Sequence, residues 1–264
     1  MFHRRYIVLT CRVMLLCVFL LSWEFLGKLN PAVAFFASSP SLVFPQFIKM
    51  VINENLLYHF FLTASEAFVG FSLGTVVGTS VGLLLWYSRF AADVLSSFVL
   101  IAGSIPLITL APLFIVWFGI GFTMKAALAF FSTVFLSLSQ SYRGSLSVNK
   151  DFTEVLTAMK APRSSIFLKA IIPGSLNGVL QSMRLNIGLG LLGAFLGEFI
   201  ASQAGLGYII LRASSLYDIP RAYAAAIGIG ILALVFDRVA ALIEEKSLRI
   251  VEIVSVPRIA WRQY

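Results

Sequence analysis

The chain has 264 residues, of which 59% are hydrophobic and only 12% charged, with a mean hydropathy of +0.93 and a formal net charge of +8. These proportions exclude an ordinary soluble domain. The basic excess is explained by membrane topology and anionic lipid, so it is no argument for nucleic-acid binding.

A hydrocarbon core about 30 Å thick takes roughly 20 helical residues to cross. Apolar runs of that kind recur near 7–26, 57–87, 94–118, 126–138, 172–201 and 222–243, which predicts six transmembrane helices. They are continuous and rich in Leu, Phe, Gly and Ala, unlike the alternating strands of a membrane barrel. The first run follows Arg4 and Arg5 as a signal peptide would. Ser22, Trp23 and Glu24 make a poor cleavage site, however, and the run is expected to stay as a helix. Cys11 and Cys17 fall on different faces of it and read as small packing residues.

In the second run Gly70, Gly74, Gly78 and Gly82 recur every four residues, making one stripe along which another backbone can approach closely. A looser version, Gly188, Gly190, Gly193 and Gly197, lies in the fifth. In the third run Pro106 and Pro112 interrupt the apolar pattern ahead of Trp117, Phe118, Gly119 and Gly121. Such breaks are tolerated only where the freed carbonyls face protein or a cavity.

Residues 151–173 form a charged, helix-forming island between two apolar blocks. Phe152, Val155, Leu156 and Met159 follow the i, i+3, i+4, i+7 pattern of one helix face, with Glu154, Lys160 and Arg163 polar. Such a helix can rest in lipid headgroups or dock into a groove on a soluble partner. The pattern leaves both open.

Basic residues are retained on the cytoplasmic side of a membrane. With the N-terminus inside, the inner set is Arg4, Arg5, Arg89, Arg143, Lys150, Lys160, Arg163, Lys169, Arg238, Lys246, Arg249, Arg258 and Arg262. Lys28, Lys49, Lys125, Arg212 and Arg221 fall outside. Both termini and the 151–173 island are therefore expected in the cytoplasm. At 1.5 Å per residue, Glu66 and Arg184 reach the membrane midplane, where charges are costly and face the protein interior. They are expected either to pair with each other or to line a path. Glu198 falls near the outer surface, and Asp237 and Arg238 near the inner one. No Cys-His cluster, phosphate loop or Ser/His/Asp grouping is visible, and His3 and His59 are unrelated, so no catalytic, cofactor or metal residue is assigned.

The proline-broken run and the charged island together resemble the permease subunits of bacterial ABC importers, in the branch associated with nitrate, sulfonate, taurine, bicarbonate and pyrimidine-precursor uptake. The likeness extends over about residues 57–249. Family members carry a cytoplasmic loop of the form E-A-A, three residues, G, nine residues, I-x-L-P. Glu154 and Pro173 hold its two ends here. Val155 and Leu156 stand for the alanines, Lys160 for the glycine, and Ala170 and Ile172 for the Ile and Leu. Without that glycine the turn at Lys160, Ala161 and Pro162 has to be made by other means, since Pro162 biases Ala161 away from helix. Further matches are Pro106, Ala111-Pro112-Leu113, Trp117-Phe118-Gly119, Glu198-Phe199 and Gly205-Leu206-Gly207-Tyr208.

The resemblance implies an all-α fold of the type I importer permease kind, one permease domain over 1–264 with a coupling loop at about 141–173. Phe152, Glu154, Val155, Leu156, Ala158, Met159, Lys160, Ala161 and Pro173 would dock on an ABC ATPase subunit, and Glu66, Arg184, Pro106 and Pro112 would belong to the translocation path. A periplasmic substrate-binding protein, a second copy of the chain and membrane lipid are the other implied partners, in a bacterial inner membrane. No cofactor is implied, and hydrolysis would belong to the ATPase. Glu66 stands where nitrate and sulfonate members often carry Arg and pyrimidine-precursor members Glu, which points toward a neutral or cationic heterocycle. An ion-coupled secondary transporter would show internal halves with paired broken helices, which this sequence does not.

Overall fold

A computed structural model of the chain describes residues 2–29 and 31–255. Arg258 and Arg262, counted above for orientation, lie outside the described residues, as do the side chains of His3, Arg4, Arg5 and Arg249. Among the described residues the regular elements are all helical. They run α1 (Phe2–Leu29), α2 (Pro31–Ala37), α3 (Pro40–Asn53), α4 (Leu56–Leu84), α5 (Arg89–Ser104), α6 (Leu107–Phe118), α7 (Phe122–Leu146), α8 (Lys150–Ala158), α9 (Arg163–Ile166), α10 (Ile172–Ile200), α11 (Leu206–Ser215) and α12 (Ile219–Ser255). A 3-10 turn, Leu85–Tyr87, follows α4, and a π-helical turn, Phe167–Ile171, joins α9 to α10.

Among the described residues six unbroken stretches are long and apolar enough to cross a membrane: Tyr6–Leu29, Ala34–Asn53, Leu56–Tyr87, Phe122–Leu146, Gly178–Ile200 and Ile219–Lys246. The number agrees with the sequence reading, but two members differ. Ala34–Asn53 is added; Pro40, Pro45, Ser38, Ser39 and Lys49 dilute its apolar pattern. The run at 94–118 is bent by 93° where α5 meets α6, which makes it a broken span, the seventh, or a re-entrant loop. Proline explains the bend. Pro106 has no N–H to continue α5, and Ile105 before it is extended at φ −69, ψ 123. The run at 126–138 lengthens into all of α7, which takes Lys125 out of the loop to which the sequence assigned it.

The chain divides into two compact units, one of Met1–Phe61 with Gln203–Gly230 and the other of Leu62–Ser202 with Ile231–Tyr264. In the first, Glu24 on α1 accepts hydrogen bonds from the backbone N–H and the hydroxyl of Ser41, at 3.0 and 2.9 Å, and so caps the start of α3. Trp23 donates its indole N–H to the Ala37 carbonyl and meets the Tyr223 ring of α12 at a tilt, with centroids 5.2 Å apart. Glu54 joins Arg221 at 2.8 Å. Leu206, Gly207 and Tyr208 open helix α11, with Gly205 at φ +115 just before it. Cys11 and Cys17, expected as packing residues, are both exposed on α1.

The second unit is organised on α7. The α4 stripe lies directly against it: a Cβ on Gly70 would overlap the Ala126 carbonyl, one on Gly74 the Thr133 hydroxyl, one on Gly78 the Val134 carbonyl and one on Gly82 the Leu138 carbonyl. Helix α10 closes in from another direction, where Gly193 leaves room for the Ala129 backbone and Gly197 for Lys125. Gly190 leaves room for Phe71 of α4. Gly188 faces open space and does not belong to that stripe. Ala111 and Phe114 of α6 pack on Met124 and Leu128 of α7, and Ala240 of α12 packs with Phe71 and Ile187.

Gly74→Val is expected to force α4 off α7 and cost about 1–3 kcal/mol, the usual scale for overpacking. Gly188→Ala should hold or slightly raise the melting temperature, since it adds a helix-favouring residue where nothing is displaced. Thermal unfolding of the two detergent-solubilised variants checks the contrast.

Candidate coupling and translocation sites

Beside the α5–α6 break lies a cleft of about 460 Å³, lined by Leu100, Ile105, Leu110, Phe131, Phe135 and Leu189 among others, with Ser104, Ser132 and Ser139 as its hydroxyls. Two of these hydroxyls are already engaged. Ser104 donates to the Leu100 carbonyl and Ser132 to the Leu189 carbonyl, at 2.7 and 2.8 Å. Pro106 sits at the corner and Pro112 one turn into α6, where its missing N–H frees the Ile108 carbonyl. The wall is therefore apolar with a few polar points, the usual make-up of a small-solute cavity.

The charges sort differently from the sequence expectation. Glu66 is fully buried, and its carboxylate meets the Lys125 ammonium at 2.5 Å. Lys125 also donates to Ser202 at 3.1 Å. Glu198, placed by sequence near a surface, is fully buried as well and accepts from the Thr63 hydroxyl at 2.6 Å. Arg184 does not reach this cluster. It forms a forked pair with Asp237 of α12, at 2.8 and 3.2 Å, with the side chains 50% and 45% exposed. The proposed Glu66–Arg184 pair is thus replaced by two others, and Glu66 presents no surface to a passing solute. Its bearing on substrate charge falls with that burial. Sequence reasoning missed Lys125 because a lysine at the head of an apolar run looks like a loop residue.

Helix α8 starts on Asn149, whose side chain accepts from the Asp151 N–H at 2.9 Å. Phe152, Val155 and Met159 are 65%, 58% and 73% exposed, Leu156 is half-buried, and Glu154 and Ala158 face out. The apolar stripe is uncovered in this chain. The helix ends with Lys160 at φ +55, its N–H bonded to the Thr157 carbonyl and that of Ala161 to the Leu156 carbonyl, at 2.9 and 3.0 Å. This is the left-handed helix stop usually made by glycine. Lys160 therefore adopts the conformation that a glycine would take more easily, and Pro162 then opens α9. From Arg163 the chain winds through α9 and the π turn into α10, with Pro173 in its first turn. Pro173 cannot bond the Lys169 carbonyl, and the wide π turn stands at that place.

In a third place, His59, Gln203, Tyr208, Arg212 and Arg221 line a hollow of about 270 Å³. His59 accepts the Gly205 N–H on Nδ1 at 2.9 Å, and Arg212 donates to the Tyr208 hydroxyl at 2.9 Å.

Two outcomes are expected of these sites. Lys125→Met should destabilise the chain by about 3–5 kcal/mol, because it leaves a buried carboxylate without its partner. Lys125→Met combined with Glu66→Met should recover most of that loss, read as melting temperatures in a double-mutant cycle. Lys160→Gly should stabilise the α8 stop by about 0.5–1 kcal/mol, since it relieves a side chain at positive φ. Slower exchange of the backbone amides at positions 160 and 161 than in the unmutated chain would register it.

Residues 70–249, well over half of the chain, match the family described as Binding-protein-dependent transport system inner membrane component. Among curated relatives, a probable ABC transporter permease protein of Brucella melitensis is 29% identical over 75% of this chain and 81% of its own length. The formylaminopyrimidine transport permease protein ThiX of Halalkalibacterium halodurans is 28% identical over 66% of this chain and 70% of its own. The putative aliphatic sulfonates transport permease protein SsuC of Bacillus subtilis is 25% identical over 90% and 86%. The fold is similar to that of a chain in an inward-facing structure of the MetNI methionine ABC transporter, with a TM-score of 0.65 and 21% identity over 72% of this chain and 95% of that one. This chain belongs to the binding-protein-dependent transport system inner membrane component family, the permease subunits of ABC importers.

Proposed function

We propose that the chain is one of two identical membrane subunits of an ATP-driven importer, that α8 is its handle for a separate ATPase, and that the cleft at the α5–α6 break belongs to the path. The carrying observation is the uncovered stripe of Phe152, Val155 and Met159 on a short capped helix between two apolar blocks. Glu154, Leu156, Ala158, Lys160, Ala161 and Pro173 complete the docking segment. A soluble groove that received the stripe would bury it as amphipathic helices are buried elsewhere. The stretch from α9 to α10 would carry motion of the docked helix into the membrane, where alternating access follows from rigid-body rearrangement.

A half-exposed Arg184–Asp237 pair inside two apolar spans needs water or a partner surface around it, which supports putting it on the path together with Pro106 and Pro112. An ATPase that works as a pair needs two handles, and one chain carries one, which favours a twofold homodimer. The basic-residue bias favours cytoplasmic termini in the bacterial inner membrane, and a periplasmic binding protein would deliver the solute. The solute is a small polar molecule. The relatives named for formylaminopyrimidine and for aliphatic sulfonates support either class, and the buried Glu66 does not choose between them.

Leu156→Asp with Met159→Asp should abolish co-purification of the ATPase and cut uptake at least tenfold, while membrane insertion stays intact. Native mass measurement of the unmutated assembly should find two copies of this chain. An unchanged complex in the double variant would overturn the docking role, and a single copy would overturn the homodimer.

A further inference from the structure

The hollow formed by α4, α11 and α12 gathers positive charge that the neighbouring carboxylates do not use up. Its lining holds two guanidiniums, Arg212 and Arg221, with Tyr208, Gln203, His59 and Ile209, and no carboxylate. Tyr208 and Arg212 stand one turn apart on α11, while His59 and Arg221 belong to the first turns of α4 and α12. The hollow therefore lies at the ends of two apolar spans and not within them.

Arg221 is paired with Glu54 at 2.8 Å, and Glu54 also draws Lys49 to 3.8 Å. Asp218 accepts the Arg221 backbone N–H at 3.3 Å. Arg212 donates one N–H to the Tyr208 hydroxyl at 2.9 Å and lies 6.0 Å from that ring's centroid, and no carboxylate among the described residues pairs with it. Lys49, Arg212 and Arg221 thus stand against Glu54 and Asp218, which leaves one positive charge over.

The donors that remain are those that hold an oxyanion. A guanidinium carries five N–H groups in a planar fork matched to carboxylate and phosphate oxygens. The Tyr208 hydroxyl accepts from Arg212 and still has its own hydrogen to donate. His59, held by the Gly205 N–H on its Nδ1, lies within 21° of parallel to the Tyr208 ring and steadies that wall. A space of about 270 Å³ takes one small anionic group and no drug-sized molecule.

We propose that this hollow is a binding site for one singly charged oxyanion of the sulfonate, phosphate or carboxylate kind, held by Arg212, Arg221 and the Tyr208 hydroxyl. The bound group ties the α11 face to the first turn of α12. A soluble anion and the phosphate of an anionic lipid headgroup offer the same chemistry there.

The test uses the full chain, stripped of lipid in nonionic detergent, at constant ionic strength. Methanesulfonate should raise the melting temperature saturably by about 2–4 °C, whereas the uncharged methanesulfonamide should leave it unchanged. Arg212→Gln changes an exposed side chain with a single hydrogen bond, so it should fold and bind methanesulfonate about tenfold or more weakly. Lys28→Gln removes an exposed cation elsewhere and should alter nothing in this response. Native mass spectrometry with added phosphatidylglycerol separates the two sources. Lipid retained by the unmutated chain and by Lys28→Gln but lost in Arg212→Gln assigns the site to a headgroup; methanesulfonate binding without such retention assigns it to a soluble anion. The proposal is overturned by an equal response to methanesulfonamide, by losses as large in Lys28→Gln as in Arg212→Gln, or by the absence of both the saturable shift and the Arg212-dependent lipid.

Discussion

Four glycines spaced at one helical turn let α4 lie with its backbone against the backbone of α7, and much of the second unit depends on that approach. With no hydrophobic driving force between helices inside lipid, association rests on close van der Waals packing and on polar contacts. The stripe supplies the first. It also sets the second, because the closeness of the two helices brings Glu66 within reach of Lys125, while Gly197 on α10 leaves the space that the Lys125 stem fills. Small residues and charges are thus one device: remove the glycines and the carboxylate has no ammonium beside it.

What was legible in the sequence follows from how local each signal is. The α4 stripe was readable because its period is the period of a helix, and the α8 stripe for the same reason. The proline pair announced a break, yet proline chemistry fixes only where a helix stops. The 93° bend depends on what α6 packs against, namely Met124 and Leu128 of α7. Lys125 was misplaced because hydropathy treats a lysine as a boundary, and its partner lies on another helix far away in the chain. Arg184 was paired with the wrong acid for the same reason: counting along the helices put it level with Glu66 at the midplane, whereas it meets Asp237, which the same count placed near the inner surface. Helix α11 escaped notice because its Gly-Leu-Gly opening reads as loop, and only the pairing of Gly205 with His59 and the packing of Leu206 fix it as a helix start.

The coupling segment departs from its family pattern at the glycine position without departing from the expected shape. Lys160 takes the left-handed conformation, and two hydrogen bonds to the Leu156 and Thr157 carbonyls close the helix end. A strained residue persists where its surroundings over-determine it. Here those surroundings are Asn149 capping one end of α8 and Pro162 starting a new helix just past the other. The exposed lysine stem costs little, and its charge sits at a helix C-terminus, where a cation is favoured.

Two ion pairs among the described residues of the second unit show how environment decides what a membrane charge can do. Glu66 and Lys125 are sealed, with side chains 0% and 5% exposed, so they cannot exchange contacts with a solute without unpacking α4 from α7. Arg184 and Asp237 have the same chemistry but stand about half open. A forked arginine–carboxylate bond at an open site leaves donors on the guanidinium unspent, and in an apolar span those donors require water, a second subunit or a polar solute. The sealed pair is therefore suited to holding helices together. The open pair is suited to meeting whatever crosses or covers that face.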